Sequence, residues 1–182
     1  PKRIWLTSVW LVAALVVSVA TLRSTTPLWP ASGLRLQTFD DQNQKGRSTS
    51  RLQVDSGEIE LALRLDSGAT WPVAGAIFHL APRGEVLDLS APGTIRLEIG
   101  PSSLATLQTC LVEEIPGFTR DDRWQTARYD CQAMDLVPGI SRYDLPLDRF
   151  LTPQWWFATS GVRPSQLGPE TRKRVIRFVV QS

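Results

Sequence analysis

Ile59-Glu60-Leu61-Ala62-Leu63-Arg64-Leu65 places an aliphatic side chain at every second position. A period of two marks a strand with one buried face, because successive side chains leave the pleat on opposite sides. Ile95-Arg96-Leu97-Glu98-Ile99 repeats the pattern. On either side of these runs, strands are expected at 34–39, 73–80, 143–147 and 175–180, each set off from the next by Gly, Pro, Asp or Ser. No long helical period occurs after residue 23. Many short strands separated by regular turns argue for an all-β protein, an antiparallel sandwich or barrel.

Two more runs, Thr106 to Glu113 and Trp124 to Ala133, flank the turn signals Pro116-Gly117 and Asp121-Asp122. A hairpin folded symmetrically about residues 120 and 121 sets Cys110 opposite Cys131. It also sets Val112 opposite Tyr129 and Glu113 opposite Arg128. A Cys110–Cys131 bridge would close a loop of roughly 20 residues and stabilise by about 3 kcal/mol on the chain-entropy estimate. Two separate buried thiols are the alternative. A bridge needs an oxidising compartment.

Export is also what the N-terminus suggests. Residues 4–22 are nineteen uncharged positions between Lys2-Arg3 and Arg23. A helix of that length is about 28 Å long, close to the hydrocarbon thickness of a bilayer. Trp5, Trp10 and Trp29 lie near its ends, where indole favours the membrane interface. Ser18-Val19-Ala20 also fits the small-x-small pattern before a signal cleavage point. Both readings export the remainder of the chain, and an uncleaved anchor is the one expected. By the positive-inside tendency Lys2 and Arg3 stay in the cytoplasm. The expectation is a single transmembrane helix in a bacterial inner membrane (1–23), a Pro-containing linker (24–33) and a periplasmic domain (34–182).

The chain has 182 residues, enough for one such domain and its appendage, and 42% of them are hydrophobic. Of 20 Lys and Arg, two precede the apolar run, which leaves 18 to balance 18 Asp and Glu. A neutral domain is a poor electrostatic partner for nucleic acid. One His and two Cys are too few for a Cys/His zinc site. No phosphate loop, nucleophile elbow or paired metal-ligand spacing is present, and no cofactor is expected. His79, within Ala76-Ile77-Phe78-His79-Leu80, reads as a hydrogen-bonded strand residue before a catalytic one. Asp40-Asp41 offers either an acidic turn, the simpler reading, or two calcium ligands.

Seven Trp are many for this length. Trp155-Trp156 is expected to split, one ring inward and one outward, as strand neighbours do. Trp71, Trp124 and Tyr129 lie in or beside turn-rich segments that also supply Arg120, Asp121, Asp122, Arg123 and Arg128, a mixture of stacking rings and planar charges suited to a glycan or small polyol and equally to a hydrated surface. The hairpin register makes Tyr129 core and leaves Trp124 with Arg128 on the other, exposed face. The candidate ligand-binding set is therefore Trp124, Arg128, Asp122, Arg123 and Trp71.

Several short motifs succeed one another along the chain. These are Phe39-Asp40-Asp41, Gly46-Arg47-Ser48-Thr49-Ser50, Trp71-Pro72-Val73-Ala74-Gly75, Leu87-Asp88-Leu89-Ser90, Leu145-Pro146-Leu147-Asp148-Arg149-Phe150 and Pro153-Gln154-Trp155-Trp156. In that order they resemble the galactose-binding-domain-like jelly roll. Within it they are most similar to family-11-like carbohydrate-binding modules and the complex I intermediate-associated proteins. The resemblance spans roughly 34–180. It implies a sandwich of roughly eight to ten strands, noncatalytic in most members, whose relatives bind glycans on a concave sheet face or act as assembly factors. Asp88, Ser90, Phe150 and Trp156 match as fold determinants, and no ligand-binding residue is carried over.

Together these readings point to a membrane-anchored extracytoplasmic sensor or ligand-binding domain, the input part of a larger signalling protein, and not to an enzyme. A noncatalytic accessory or assembly subunit of a membrane complex, such as a polysaccharide synthase, is the alternative. Ala14 and Ser18 form a small-xxx-small pair that suits a partner helix or a homodimer.

Overall fold

The computed structural model describes residues 12–13, 18–21, 24–27, 35–55, 58–66, 68, 72–82, 85–99, 104–120, 123–139, 142–168 and 172–182. Its strands are β1 (Val12–Ala13), β2 (Ser18–Thr21), β3 (Ser24–Pro27), β4 (Leu36–Asp40), β5 (Thr49–Asp55) and β6 (Glu58–Arg64). They continue with β7 (Ala74–His79), β8 (Thr94–Glu98), β9 (Thr106–Glu113), β10 (Arg128–Asp135), β11 (Arg142–Pro146) and β12 (Val175–Gln181). Among the described residues the α-helix is α1 (Gln154–Ser160), between β11 and β12.

Every described ladder is antiparallel. One sheet has the order β10-β9-β12-β7-β4, a second β1-β6-β5 and a third β11-β8-β2-β3. The alternating aliphatic residues do what their period requires. Ile59, Leu61 and Leu63 from β6, Ile95 and Leu97 from β8 and Leu145 from β11 share one core with Leu107, Leu111, Ala76, Phe78, Phe178 and Val180 of the five-stranded sheet. Burying apolar area at about 25 cal/mol per Å² is what drives these layers together.

The hairpin pairs in the expected register: Cys110 faces Cys131, Val112 faces Tyr129 and Glu113 faces Arg128. Cys110 and Cys131 are bridged, with their α-carbons 4.0 Å apart. This is shorter than the usual lower bound of about 4.4 Å. The ladder explains the closeness. Cys131 spends its backbone N–H and C=O on Leu151, at 2.8 and 3.1 Å, so it meets Cys110 as a non-hydrogen-bonded pair, the closer of the two antiparallel spacings.

Three elements depart from the sequence reading. β5 falls where no strand is expected. It is a sheet edge and most of its side chains are exposed, so little apolar alternation marks it. Trp155-Trp156 lies on α1, which starts after Pro153 and ends at Gly161 with φ +74°, rather than on a strand. β12 also carries a bulge between Val175 and Arg177. Val175 and Phe178 both enter the inner core although they are three residues apart, and the extra residue is what makes that parity possible.

Most of 1–34, including the greater part of the span expected as a membrane helix, lies outside the described residues. Within that span Val12–Ala13 and Ser18–Thr21 are extended and pair with β6 and β8. Among the described residues no helix is long and apolar enough to cross a membrane.

Candidate functional site

The outer face of the five-stranded sheet carries a second apolar cluster. Cys110, Val112, Tyr129, Cys131 and Val179 project outward and are covered by Trp156, whose indole N–H donates to the Ala127 carbonyl at 2.6 Å. Trp155, the next residue back along α1, is half-buried at the margin of this cover. Its ring centroid lies 5.6 Å from Tyr129 and 6.2 Å from Trp124. Trp124 meets Tyr129 edge-on at 6.0 Å. The three rings form one patch, and Trp124 remains 42% exposed.

Trp124 does not belong to β10. It opens a short 3-10 turn, Trp124–Thr126, at the end of the long hairpin loop. Thr126 Oγ accepts from the Arg120 N–H at 2.7 Å and donates to the Arg123 carbonyl at 2.6 Å. Thr119 Oγ accepts from the Ile115 N–H at 2.7 Å and donates to the Thr126 carbonyl at 3.0 Å. Two hydroxyls thus bind the loop to itself, holding a large exposed ring where a polar loop would otherwise move.

Arg128 sits elsewhere than the sequence suggests. It is 5% exposed, and its Nε donates to Asp130 and to Thr152 Oγ, both at 3.0 Å. Its Nη1 reaches the Gly168 carbonyl at 3.3 Å, and Thr152 Oγ donates to Asp130. A buried charge needs this density of partners, because desolvation offsets much of the Coulomb gain of the pair. The network forms one wall of an open hollow of about 420 Å³ whose other walls are Leu151, Phe157, Pro164 and Leu167. Arg123 is exposed at the start of the Trp124 turn. Asp122 and Trp71 lie outside the described residues. Of the candidate set, the structure places Arg123 beside Trp124 in sequence and Arg128 in a separate buried network.

Three of the shifted titratable groups bear on this sheet and the loop beside it. Tyr129 is raised, first by burial, against the pull of the neighbouring Arg177 guanidinium, so it stays a neutral phenol. His79 is pushed down to about 4, first by burial and then by Arg35 and Arg177 on either side of it. Asp41 is fully enclosed and lowered, chiefly by the Ser48 hydroxyl. Its carboxylate accepts from Ser48 N–H at 2.9 Å, Ser48 Oγ at 2.7 Å and Val73 N–H at 3.3 Å. A Cβ on Gly46 would lie 2.0 Å from that carboxylate, which is why glycine stands there. Asp40 meanwhile accepts from the Gln42 backbone at 3.1 Å. The Asp40-Asp41 pair is thus a loop clamp, the acidic turn of the two readings. Among the described residues no cluster of three or more His, Cys, Asp or Glu could hold a metal.

The expected split of Trp155-Trp156 holds, with Trp156 buried and Trp155 half-buried, although it arises on a helix. Sequence reasoning left Trp155 out of the candidate set and missed Arg177 altogether, because the strand order that brings such residues together leaves no mark in the local pattern. Comparison with known proteins adds no relative to this geometry: no family model, no curated protein and no solved structure matches the chain.

Proposed function

We propose that this chain is a membrane-anchored, extracytoplasmic domain of jelly-roll type that binds a glycan or similar polyol, noncatalytically, as the input of a larger signalling protein. The observation that carries this reading is the ring patch of Trp124, Tyr129 and Trp155, held rigid on one side by the Thr119–Thr126 loop and on the other by α1. Sugar rings present apolar C–H faces, and a preorganised aromatic surface stacks them with little ordering cost.

Two features support the location. The Cys110–Cys131 bridge is of the kind that persists outside the cytoplasm. Residues 4–22 are apolar over a length sufficient to cross a bilayer, where lipid offers the backbone no hydrogen-bond partner and a helix satisfies it internally. The short extended pieces within that span pair with sheet edges instead, as apolar segments do when such an edge is at hand.

The test is titration of the full chain in detergent micelles against a panel of neutral oligosaccharides. Binding that falls at least tenfold in Trp124→Ala, with a melting temperature lowered by no more than about 4 °C, is the expected result. No binding to any sugar overturns the reading and favours the accessory-subunit alternative.

A further inference from the structure

We propose that the outer sheet face binds a carboxylate-bearing sugar chain, with Arg35 and Arg177 taking carboxylates while the Trp124 and Trp155 rings take a sugar face. This rests on the glycan reading above and assigns its ligand class.

The cations and the rings lie along one cross-strand row. His79 N–H donates to the Arg35 carbonyl at 3.0 Å, Arg177 pairs with His79 on one side and with Val112 on the other, and Val112 pairs with Tyr129. With strands about 4.8 Å apart, four steps carry the row roughly 19 Å from Arg35 to Tyr129. Beyond Tyr129 the row continues into Trp124 and Trp155. The middle of the row is covered, since Val112 and Tyr129 are buried. An oligosaccharide would therefore meet the cations on one side of this cover and the exposed Trp124 and half-buried Trp155 rings on the other, with the Arg177 side chain hydrogen-bonded to the Tyr129 phenol between them.

Two arginines flank a single imidazole here, one on each side of β7 and so roughly 10 Å apart by strand spacing. Elsewhere the sheets pair such groups: Arg96 with Asp144 at 2.7 Å and Arg142 with Glu98 at 2.8 Å. Among the described residues neither Arg35 nor Arg177 has a carboxylate partner. His79 stays uncharged between them, and its Nε2 lies 3.1 Å from Arg35 Nη2, so the ring holds that guanidinium in place as an acceptor. Arg177 alternates with the core residues Phe178 and Val180, so it faces outward beside His79 and Val112, and the bulge between Val175 and Arg177 lets Val175 stay in the core as well. A guanidinium fork matches a carboxylate in two parallel hydrogen bonds, and the adjoining rings select an anion carried on a sugar.

The experiment titrates the full chain in detergent micelles with tetragalacturonate, its methyl ester and sodium sulfate. The expected result is at least tenfold tighter binding of the acid than of the ester, in keeping with charge-assisted hydrogen bonds. Arg177→Gln and Arg35→Gln should each remove most of that preference and leave ester binding unchanged. Trp124→Ala should weaken both sugars alike. Arg35 is exposed, so its variant reports on binding even where Arg177→Gln disturbs β12. Equal affinity for acid and ester, or a preference that survives in both arginine variants, overturns the inference and leaves the neutral-glycan reading standing. Sulfate that displaces the acid, with Trp124→Ala without effect, shows an inorganic-anion site and overturns it too. Absence of binding by either sugar removes both readings together.

Discussion

The five-stranded sheet has two faces of opposite character, and β12 shows both within a few residues. Phe178 and Val180 point into the core between the sheets, where Leu107, Leu111 and Phe78 surround them and the buried Thr109, opposite Val180, donates its hydroxyl to the Gln132 carbonyl at 3.3 Å. Arg177 and Val179 point the other way, Val179 under the cover of Trp156 and Arg177 beside His79. The inner face is apolar along its centre and carries buried polar groups toward β10, where Glu113, Arg128 and Asp130 lie. The outer face is divided, half covered by α1 and the bridge and half left with cations and rings, and such a division is where recognition can be built without weakening the core.

The comparison breaks most visibly at Phe178. Phe178→Ala should cost about 3–5 kcal/mol, because a fully buried ring leaves a cavity that the sheets cannot close. Chemical denaturation measures it, and a loss below about 1 kcal/mol would mean that the inner core is far less tight than its burial implies. On the outer face, replacing both Cys110 and Cys131 with Ala should cost about 3 kcal/mol while the pairing of β9 with β10 persists. Amide exchange on those strands is the check, and melting of the hairpin alone would show that the bridge, not the ladder, sets the register.

A smaller effect belongs to pH. His79 has its folded pKa near 4, below the ordinary 6.5, so the unfolded chain binds its proton first as pH falls. Stability should therefore decline from about pH 6.5 towards 4, modestly because the ring is only half-buried. His79→Gln should flatten that window. Asp41 acts in a different window: its carboxylate is lowered below the ordinary 3.8, so what it contributes is present above that value and lost only as pH falls further. A slope unchanged in His79→Gln would place the titrating group elsewhere. The smallest stability effect is expected at Trp124. Trp124→Ala should cost about 1 kcal/mol or less, the scale of the ring contacts it makes. A larger loss on thermal melting would recast the patch as core.

Much of the hairpin was legible because its information is local. The alternation of 106–113, the turn residues and the position of two cysteines sufficed for the register and the bridge, and for placing Tyr129 in the core. Asp40-Asp41 was legible as a loop of two carboxylates, but the partner Ser48 and the enclosing Gly46 and Val73 came only with the fold. Arg128 misled for a physical reason. Strand parity sent it away from Tyr129, but Thr152 and Gly168, far along the chain, turned that side of β10 into an interior.

By itself, then, the sequence determined that the protein is built largely of short strands, that Cys110 meets Cys131 and that the aliphatic positions of β6 and β8 are core, since each depends on the two-residue period of a single strand or on one hairpin. Only the tertiary structure decided which charges are buried and which rings gather at the surface. The bulge at Ile176, the helix that brings Trp155 to Tyr129 and Trp124, and the row joining Arg35, His79, Arg177 and Tyr129 all arise from strands distant in sequence. No local pattern encodes the order in which those strands lie side by side, because that order is set by the packing of the whole core.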